Sequence, residues 1–92
     1  MSKFDDVPED EDTKIMISEK MQFGDFDVLY QKWFWDGIEA ESLIFVSSDV
    51  EDKGDNELEA FVRESDLIRD SEITIKRGGS GFTLVNFNFV IL

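Results

Sequence analysis

The clearest pattern in this chain is the alternation of apolar and polar residues from Val85 to Phe89, within an apolar-rich run over residues 82–92. Side chains in a strand point alternately to its two faces, so this period predicts a long β-strand. One face would carry Val85, Phe87, Phe89 and Ile91, and the other Asn86 and Asn88. The glycine-rich residues 78–81 predict a turn, and the alternation of residues 71–77 predicts a strand that pairs across it.

Two further runs of strand-forming residues, 28–35 and 38–46, flank Asp36 and Gly37. Asp-Gly supplies the positive φ angles of a two-residue primed turn, so we predict a β-hairpin. The alternative is a helix that Asp25 caps and Gly37 closes. The apolar face of that helix would consist of Phe26, Leu29, Tyr30, Trp33 and Phe34.

The first part of the chain carries a weaker pattern. Residues 14–19 predict a short strand with Ile15 and Ile17 on one face, but a helix that runs on to Met21 fits the same residues. Residues 1–12 contain six acids, one proline and too few apolar residues to pack unaided. We therefore expect a flexible acidic arm there.

A helix is predicted in the second half of the chain, after a loop at residues 49–56. Asp55 or Asn56 can cap it, and it should run from residue 56 to residue 69. Its apolar stripe would consist of Leu58, Phe61, Val62, Ser65 and Ile68. Together these elements predict an α+β fold over residues 13–92, a single domain in which one or two helices pack on a small antiparallel sheet of four to five strands.

Charge is distributed unevenly along the chain. Twenty-two acids and nine bases give the 92 residues a formal charge of −13. Residues 1–12 net −5 and residues 49–72 net −7, whereas residues 73–92 contain no acid and add Lys76 and Arg77. With 41% hydrophobic residues the chain should still fold. Because an acidic surface repels nucleic acid and anionic membranes, the expected partners are basic proteins.

Cysteine and histidine are both absent. Their absence excludes disulfides, thiolate metal sites and the usual general base near neutral pH. No apolar run approaches the roughly 20 residues of a membrane-spanning helix, and the acidic first residues do not resemble a signal peptide. We therefore expect a soluble protein of the cytoplasm.

Two loops superficially resemble ion-binding motifs. Aligning Gly54 with the glycine of a calcium-binding loop places Lys53 and Ala60 where oxygen ligands are required, so an acidic surface loop is the better interpretation. In residues 76–81 the cations precede the glycines, whereas a phosphate-binding loop has its lysine after them. A hairpin turn explains these glycines, and Lys76 and Arg77 become candidate partners for acids on another chain.

Metal-dependent nucleases and glycosidases use paired carboxylates. Pairs such as Glu39 and Glu41, or Glu57 and Glu59, arise by chance among 22 acids, and no lysine follows them in a nuclease-like arrangement. We therefore expect no enzymatic activity, no cofactor and no metal.

The predicted helix at residues 56–69 would carry two rows of acids beside its apolar stripe. One flank would hold Glu59, Asp66 and Asp70, and the other Glu57 and Glu64. Residues four apart on a helix are separated by about 6 Å along the axis, and residues seven apart by about 10 Å. This spacing is comparable with that of phosphates along DNA, although an ordinary solvated helix surface explains the same pattern.

The aromatic residues of the predicted hairpin exceed what one strand face can bury. Trp33 and Trp35 would share one face of the strand, and Phe34 would lie on the other. One side would then meet a helix. A second copy of the chain or another part of the same chain would cover the other side.

In length, acidity, absence of cysteine and histidine, and phenylalanine-rich strands, the chain resembles phage-encoded DNA mimics. It is similar in particular to the anti-restriction nuclease family of T-even phages. The resemblance implies an inhibitor of a modified-cytosine-dependent restriction nuclease of the McrBC type, and a homodimer with an extended negative face. It implies no common fold, because DNA-mimic families differ in architecture.

Such an inhibitor would present carboxylates in place of phosphates. The acids expected to carry most of the contact are Glu57, Glu59, Glu64, Asp66 and Asp70, with Asp49, Glu51, Asp52 and Asp55 extending the row. The alternative is an acidic adaptor or immunity-type protein that binds one basic protein surface without DNA-like geometry. Many small losses on charge reversal would favour mimicry, and one or two dominant residues would favour an ordinary interface.

Overall fold

The computed structural model describes Phe4 and residues 12–68, 72–78 and 81–92 of the chain. Five antiparallel strands form one sheet in the order β1-β2-β3-β5-β4, and two helices connect β3 to β4. The elements are β1 (Lys14–Phe23), β2 (Phe26–Trp35), β3 (Ile38–Val46), α1 (Ser47–Val50), α2 (Asp55–Val62), β4 (Thr74–Arg77) and β5 (Phe82–Ile91). The predicted α+β fold, with a sheet of four to five strands and one or two helices packed on it, is confirmed.

The hairpin predicted around Asp36 and Gly37 is also confirmed. Trp35 lies opposite Ile38, and the two residues between them have φ angles of 47° and 77°. Both values fall in the left-handed region that a primed two-residue turn requires. The alternative helix over this segment is therefore wrong. The Asp-Gly turn reverses the chain, and the strand-forming residues on its two sides then pair with each other.

The main core lies between the sheet and the helices. It consists of Phe23, Val28, Tyr30, Leu43, Phe45, Val50, Leu58, Val62, Ile68, Val85 and Phe87. Phe61 of α2 contacts Phe23 and Phe26 edge-on, with ring centroids 5.2 and 5.7 Å apart. On the other face of the sheet, a smaller cluster consists of Phe4, Leu29, Ile44 and Phe82. Most of the buried apolar side chains therefore lie on the face of the sheet that the helices cover.

A β-bulge at Asn88 interrupts the alternation of β5. Glu41 of β3 lies opposite Phe87 and Glu39 lies opposite Val90, so two residues of β5 face a single residue of β3. Asn88 has a φ of 53°, a conformation that asparagine tolerates better than most residues. Its side chain, predicted to face away from Phe87, turns to the helix side, where it donates to a backbone carbonyl of the turn after α2.

The bulge reverses the faces of the residues that follow it. Phe87 is fully buried in the main core, as predicted. Phe89 instead packs edge-on against Trp33 on the opposite face, with ring centroids 6.4 Å apart, and Ile91 is 86% exposed. The prediction that all four apolar residues of this strand share one face is thus wrong for Phe89 and Ile91, because a bulge adds one residue to the count.

A second bulge in β1 has the same effect. Ile15 lies opposite Trp33 and Ile17 lies opposite Lys32, with Met16 as the extra residue. Neighbouring positions of β2 point to opposite faces, so Ile15 and Ile17 do as well. The strand prediction for this segment is confirmed and the strand is longer than expected, but the prediction of a shared face is wrong.

The start of the helical connection differs from the prediction. A loop was expected over residues 49–56, but α1 already extends to Val50. Gly54, rather than Asp55 or Asn56, occupies the N-cap position of α2, and no side chain caps the helix. Asp55 lies in the first turn, where its charge is favourable near the positive end of the helix dipole.

The second helix ends at Val62, seven residues before the predicted end. Beyond it, the N–H of Ser65 donates to the carbonyl of Val62 at 3.1 Å, and the N–H of Ile68 donates to that of Ser65 at 3.3 Å. Bonds over three residues form tight turns rather than an α-helix. The Ser65 hydroxyl also accepts from the N–H of Leu67, and serine bonds of this kind compete with helix formation.

Three other predictions concern segments at the limits of the described chain. The strand expected at residues 71–77 begins only at Thr74, and residue 71 is outside the described part. Most of the predicted acidic arm, residues 1–12, also lies outside it, although Phe4 is buried with its ring centroid 6.3 Å from that of Phe82. No helix within the described ranges is long and apolar enough to cross a membrane.

Replacing Phe87 and Phe89 separately by alanine tests the bulge, because the alternation places both residues on one face. We expect Phe87→Ala to lower the free energy of unfolding by about 3–5 kcal/mol through loss of a buried ring. Phe89→Ala should lower it by less than about 1.5 kcal/mol, since it removes mainly the edge contact with Trp33. Urea unfolding followed by tryptophan fluorescence measures both. Equal losses would contradict the face reversal.

Candidate functional site

The acids predicted to mimic phosphates lie on the connection between β3 and β4, which crosses the helix face of the sheet. Eight of the nine are described: Asp49, Glu51, Asp52, Asp55, Glu57, Glu59, Glu64 and Asp66. The ninth, Asp70, lies outside the described residues. The buried side chains Val50, Leu58 and Val62 hold this connection against the sheet.

Three of the eight acids are engaged within the chain. A carboxylate oxygen of Glu59 lies 2.9 Å from Nη2 of Arg63, one turn further along the chain. Asp55 accepts from Nε of Arg77 at 3.0 Å. Asp49, on α1, is half-buried and also has an interaction within the chain. These three carboxylates are less available to a partner than the sequence suggests.

The other five form what we call the open acids: Glu51, Asp52, Glu57, Glu64 and Asp66. All five are exposed. None makes an ion pair or side-chain hydrogen bond to another residue of the described ranges. Their carboxylates therefore face solvent, and no lysine or arginine of the described ranges neutralises them.

The arrangement of the open acids differs from the predicted helical rows. Glu51 and Asp52 precede α2, Glu57 lies in its first turn, and Glu64 and Asp66 follow its last residue. Spacings of about 6 and 10 Å between acids apply only along a continuous helix. Because α2 ends at Val62, the prediction of two rows on one helix is wrong. The acids instead cluster at the two ends of a short helix.

Arg77 of β4 fastens the loop that carries Glu51 and Asp52. Besides its ion pair with Asp55, its guanidinium donates to the carbonyl of Val50 at 3.2 Å and to that of Lys53 at 2.6 Å. The planar guanidinium satisfies three acceptors at once, which a lysine ammonium does with less definite geometry. The sequence suggested Arg77 as a partner for acids on another chain, and the structure instead pairs it with its own.

The same loop is held from a second direction. The ammonium of Lys53 lies over the ring of Phe61, 5.3 Å from its centroid. Such cation–π contacts contribute roughly 0.5–1 kcal/mol at exposed sites. Among the described residues, Lys53 and Arg77 both orient this acidic segment, and neither is paired with an open acid.

Sequence reasoning missed a polar cluster on the helix face of the sheet. Tyr30 donates its hydroxyl to one carboxylate oxygen of Glu41, and the amide of Asn88 donates to the other oxygen at 2.7 Å. Burial raises the pKa of Tyr30, and the hydrogen bond and charge of Glu41, with a smaller contribution from Glu19, raise it further. The phenol therefore stays protonated at the pH where tyrosine ordinarily ionises, and it remains a hydrogen-bond donor to Glu41.

Two further polar contacts support the sheet. On the face away from the helices, Trp33 donates to the hydroxyl of Ser42 at 2.7 Å, and that hydroxyl donates to Asn86. On the other face, Lys32 lies 2.9 Å from Glu39, and this hydrogen-bonded pair raises the lysine pKa. Within the described ranges, no group of three or more acids is arranged to hold a metal ion.

Raising the pH tests the environment of Tyr30, the single tyrosine of the chain. In the unfolded chain this phenol loses its proton near pH 10, and in the fold it does so at higher pH. The unfolded state therefore releases its proton first, and stability should fall as the pH rises above about 10. Tyr30→Phe should remove this part of the alkaline loss, as measured by urea unfolding between about pH 9 and 11. Equal pH dependence in both proteins would contradict the raised pKa.

Replacing Arg77 tests whether it fixes the acidic loop. We expect Arg77→Ala to raise amide hydrogen exchange at residues 51–54 by about tenfold, because three acceptors lose their donor and a local opening becomes about 1.4 kcal/mol easier. Arg63→Ala, which removes an exposed pair with Glu59, is the matched control and should leave exchange at residues 51–54 unchanged. Similar exchange in both variants would show that Arg77 does not hold the loop.

The chain was compared with models of protein families, with curated proteins and with solved structures. None of the three comparisons found a match. The function is therefore argued from the fold and from the placement of charge on it.

Proposed function

We propose that this protein is a DNA-mimic inhibitor, which occupies the DNA-binding site of a host DNA-binding protein and presents carboxylates in place of phosphates. The observation that carries the proposal is the group of five open acids on one connection of the fold. That connection is packed on the core through Leu58 and Val62 and fastened through Arg77. The charge thus belongs to an ordered surface as well as to the acidic segment at residues 1–12.

The physical basis of the inhibition is competition for a basic groove. A DNA-binding groove gains much of its affinity by neutralising phosphates with lysine and arginine. An array of carboxylates offers the same groove a similar charge without a phosphodiester bond to cleave. A net charge of −13 also speeds encounter with a basic partner at low salt. This mechanism requires no catalytic residue and no cofactor of the inhibitor itself.

The resemblance described above points to the partner class. We propose a restriction nuclease that recognises modified cytosine, of the McrBC type, as the target, and the bacterial cytoplasm as the place where the two meet. The proposal divides the eight described acids by role. The open acids contact the partner, whereas Asp55, Glu59 and Asp49 are engaged within the chain and shape the surface.

A second candidate function follows from the arrangement of the acids. Because the open acids flank a helix of only eight residues, they do not form the regular rows that a duplex presents. This favours an acidic adaptor or immunity-type protein, which would bind one basic protein surface with no DNA-like geometry. The two candidates share the open acids and differ in whether DNA competes for the partner.

The first experiment identifies the partner class. The protein is immobilised and incubated with bacterial lysate, with and without excess duplex DNA, at several salt concentrations. Under the mimicry proposal it should retain DNA-binding proteins that DNA displaces and that high salt releases. A purified McrBC-type nuclease should be retained and should stop cleaving its DNA substrate. Retention of partners that DNA leaves in place would support the adaptor candidate instead.

Charge reversal then tests the surface itself. We expect the double variant Glu51→Lys and Asp52→Lys to weaken partner binding by about tenfold, since two exposed charges each contribute up to about 1 kcal/mol. The matched control is Glu19→Lys with Asp25→Lys, which changes the net charge by the same amount on β1 and its turn. Calorimetry with the retained partner measures both. Equal weakening would show that net charge alone, rather than this surface, drives binding.

A further inference from the structure

The carboxy-terminal end of β5 combines exposed apolar side chains with an open backbone edge, and the proposed function uses neither. We define the β5 patch as Trp35, Phe89, Val90 and Ile91, which are between 41% and 86% exposed. Adjoining apolar side chains that remain exposed mark a surface for another molecule. We propose that an extended segment of the partner protein, in which cationic and apolar residues alternate, binds here as an added strand beside β5; this rests on the proposed function in one respect, that the partner is basic.

The open edge follows from the difference in length between β4 and β5. β4 pairs only with residues 83–86, and beyond them the described elements pair with β5 only on its β3 side. On that inner side, the N–H of Leu92 donates to the carbonyl of Gly37 at 2.8 Å. Because successive residues of a strand direct their backbone groups to opposite edges, Phe89 and Ile91 present theirs to the outer edge. A row of unpaired backbone groups is a template for another strand.

The helix face of the sheet is acidic beside this edge. The amide of Asn88 donates to the carbonyl of Leu67 at 3.1 Å, which holds the turn after α2 next to the end of β5. That turn carries Glu64 and Asp66, two of the open acids. Val90 lies on the same face as this turn. A side chain of an added strand that points to this face approaches these carboxylates, so a cation is favoured there.

The opposite face is apolar beside the same edge. Phe89 packs edge-on against Trp33, with ring centroids 6.4 Å apart. Ile91 lies opposite Ile38 of β3, which lies opposite Trp35 of β2, so these three side chains form a row across three strands. A side chain of an added strand that points to this face meets rings and aliphatic groups and should be apolar. Since a strand directs its side chains alternately to its two faces, the bound segment must alternate cationic and apolar residues.

The surrounding charges favour a cationic segment over an anionic one. The net charge of −13 attracts a basic segment and repels a polyanion such as nucleic acid. Lys32 of β2 lies on the helix face, but it is paired with Glu39, which lies opposite Val90. The cations of β4 lie opposite the first residues of β5 rather than its end. Asp36, in the turn beside Trp35, adds an acid at this end of the sheet.

An added strand supplies the specificity that charge alone lacks. Attraction between carboxylates and a basic groove weakens steeply with salt and is similar for many DNA-binding proteins. Backbone hydrogen bonds along an added strand give affinity, and the contacts of its alternate side chains give specificity. The β5 patch thus selects one segment among the many basic surfaces that the open acids attract.

Titration of the full chain with synthetic peptides tests the proposal without a nuclease or DNA. The probe is a short peptide in which arginine and valine alternate, and the control peptide has the same residues as an arginine block followed by a valine block. We expect the alternating peptide to bind about tenfold more tightly, because only its strand separates the cationic and apolar groups onto two faces. Equal affinity would overturn the inference and would leave the competition between the protein and DNA untouched.

Variants of the apolar face locate the bound peptide. Ile91→Lys places a cation among apolar groups and should weaken binding of the alternating peptide by about tenfold. Ile17→Lys makes the same change at an exposed position of β1 and should leave the affinity unchanged. Circular dichroism checks that each variant is folded. Equal weakening in the two variants would show that the peptide does not select the end of β5.

Variants of the acidic face test the other half of the alternation. Glu64→Gln with Asp66→Asn should weaken binding of the alternating peptide by about fivefold, because two exposed charges are lost beside β5. Glu19→Gln with Asp25→Asn removes the same charge from β1 and its turn and serves as the control. An equal or larger loss in the control would place the peptide at the other edge of the sheet.

Amide hydrogen exchange tests the strand geometry itself. The N–H groups of Phe89 and Ile91 face the open edge, so the bound peptide should slow their exchange by about tenfold. The N–H groups of Val90 and Leu92 face β3 and should change much less. Slowing that does not follow this alternation, or that is confined to β1, would contradict pairing beside β5.

Discussion

The packing of the helical connection onto the sheet is the contact on which the rest of the structure depends: α1 lies against β3 and β5, and Phe61 of α2 contacts Phe23 and Phe26. A chain of 92 residues buries only roughly 60% of the surface that it exposes when unfolded, so it has one substantial core and little reserve. Phe45, Leu58 and Val85 meet there and are completely buried. Without that contact, the acidic connection would have no ordered position, and the crowded carboxylates would favour an expanded chain.

Local sequence signals account for much of the sheet. Asp36 and Gly37 determine a turn by themselves, because the φ angles they adopt are unfavourable for most other residues. The two bulges were not predicted. Asn88 fits the alternation of residue types around it, and Met16 breaks the alternation between Ile15 and Ile17 without showing which of the three is the extra residue. Only the pairing with a neighbouring strand shows which residue is the extra one. Asparagine's tolerance of positive φ is consistent with the position of the second bulge but does not single it out.

The helical connection shows a different limit. Ser65 and Ile68 have the spacing of a helix face, and tight three-residue turns direct side chains inward at nearly the same spacing. The sequence pattern therefore predicted the buried side of this segment but not its backbone. The contacts of Arg77 with Val50 and Lys53 join residues more than 20 positions apart, and such contacts become visible only when the strands are placed. The position of Arg77 also decides which acids are open, because its ion pair with Asp55 engages that carboxylate within the chain.

The side chains of the open acids make no ion pair or hydrogen bond with the rest of the described chain, and this affects how the protein can change over evolutionary time. The fold does not require Glu51, Asp52 or Glu64 to be acidic, so these positions can exchange, gain or lose charge in single steps without loss of structure. Phe45 and Val85 have no such freedom, because protein interiors are closely packed. In related chains we therefore expect a stable pattern of core residues beneath a charge pattern that drifts with the surface of the partner.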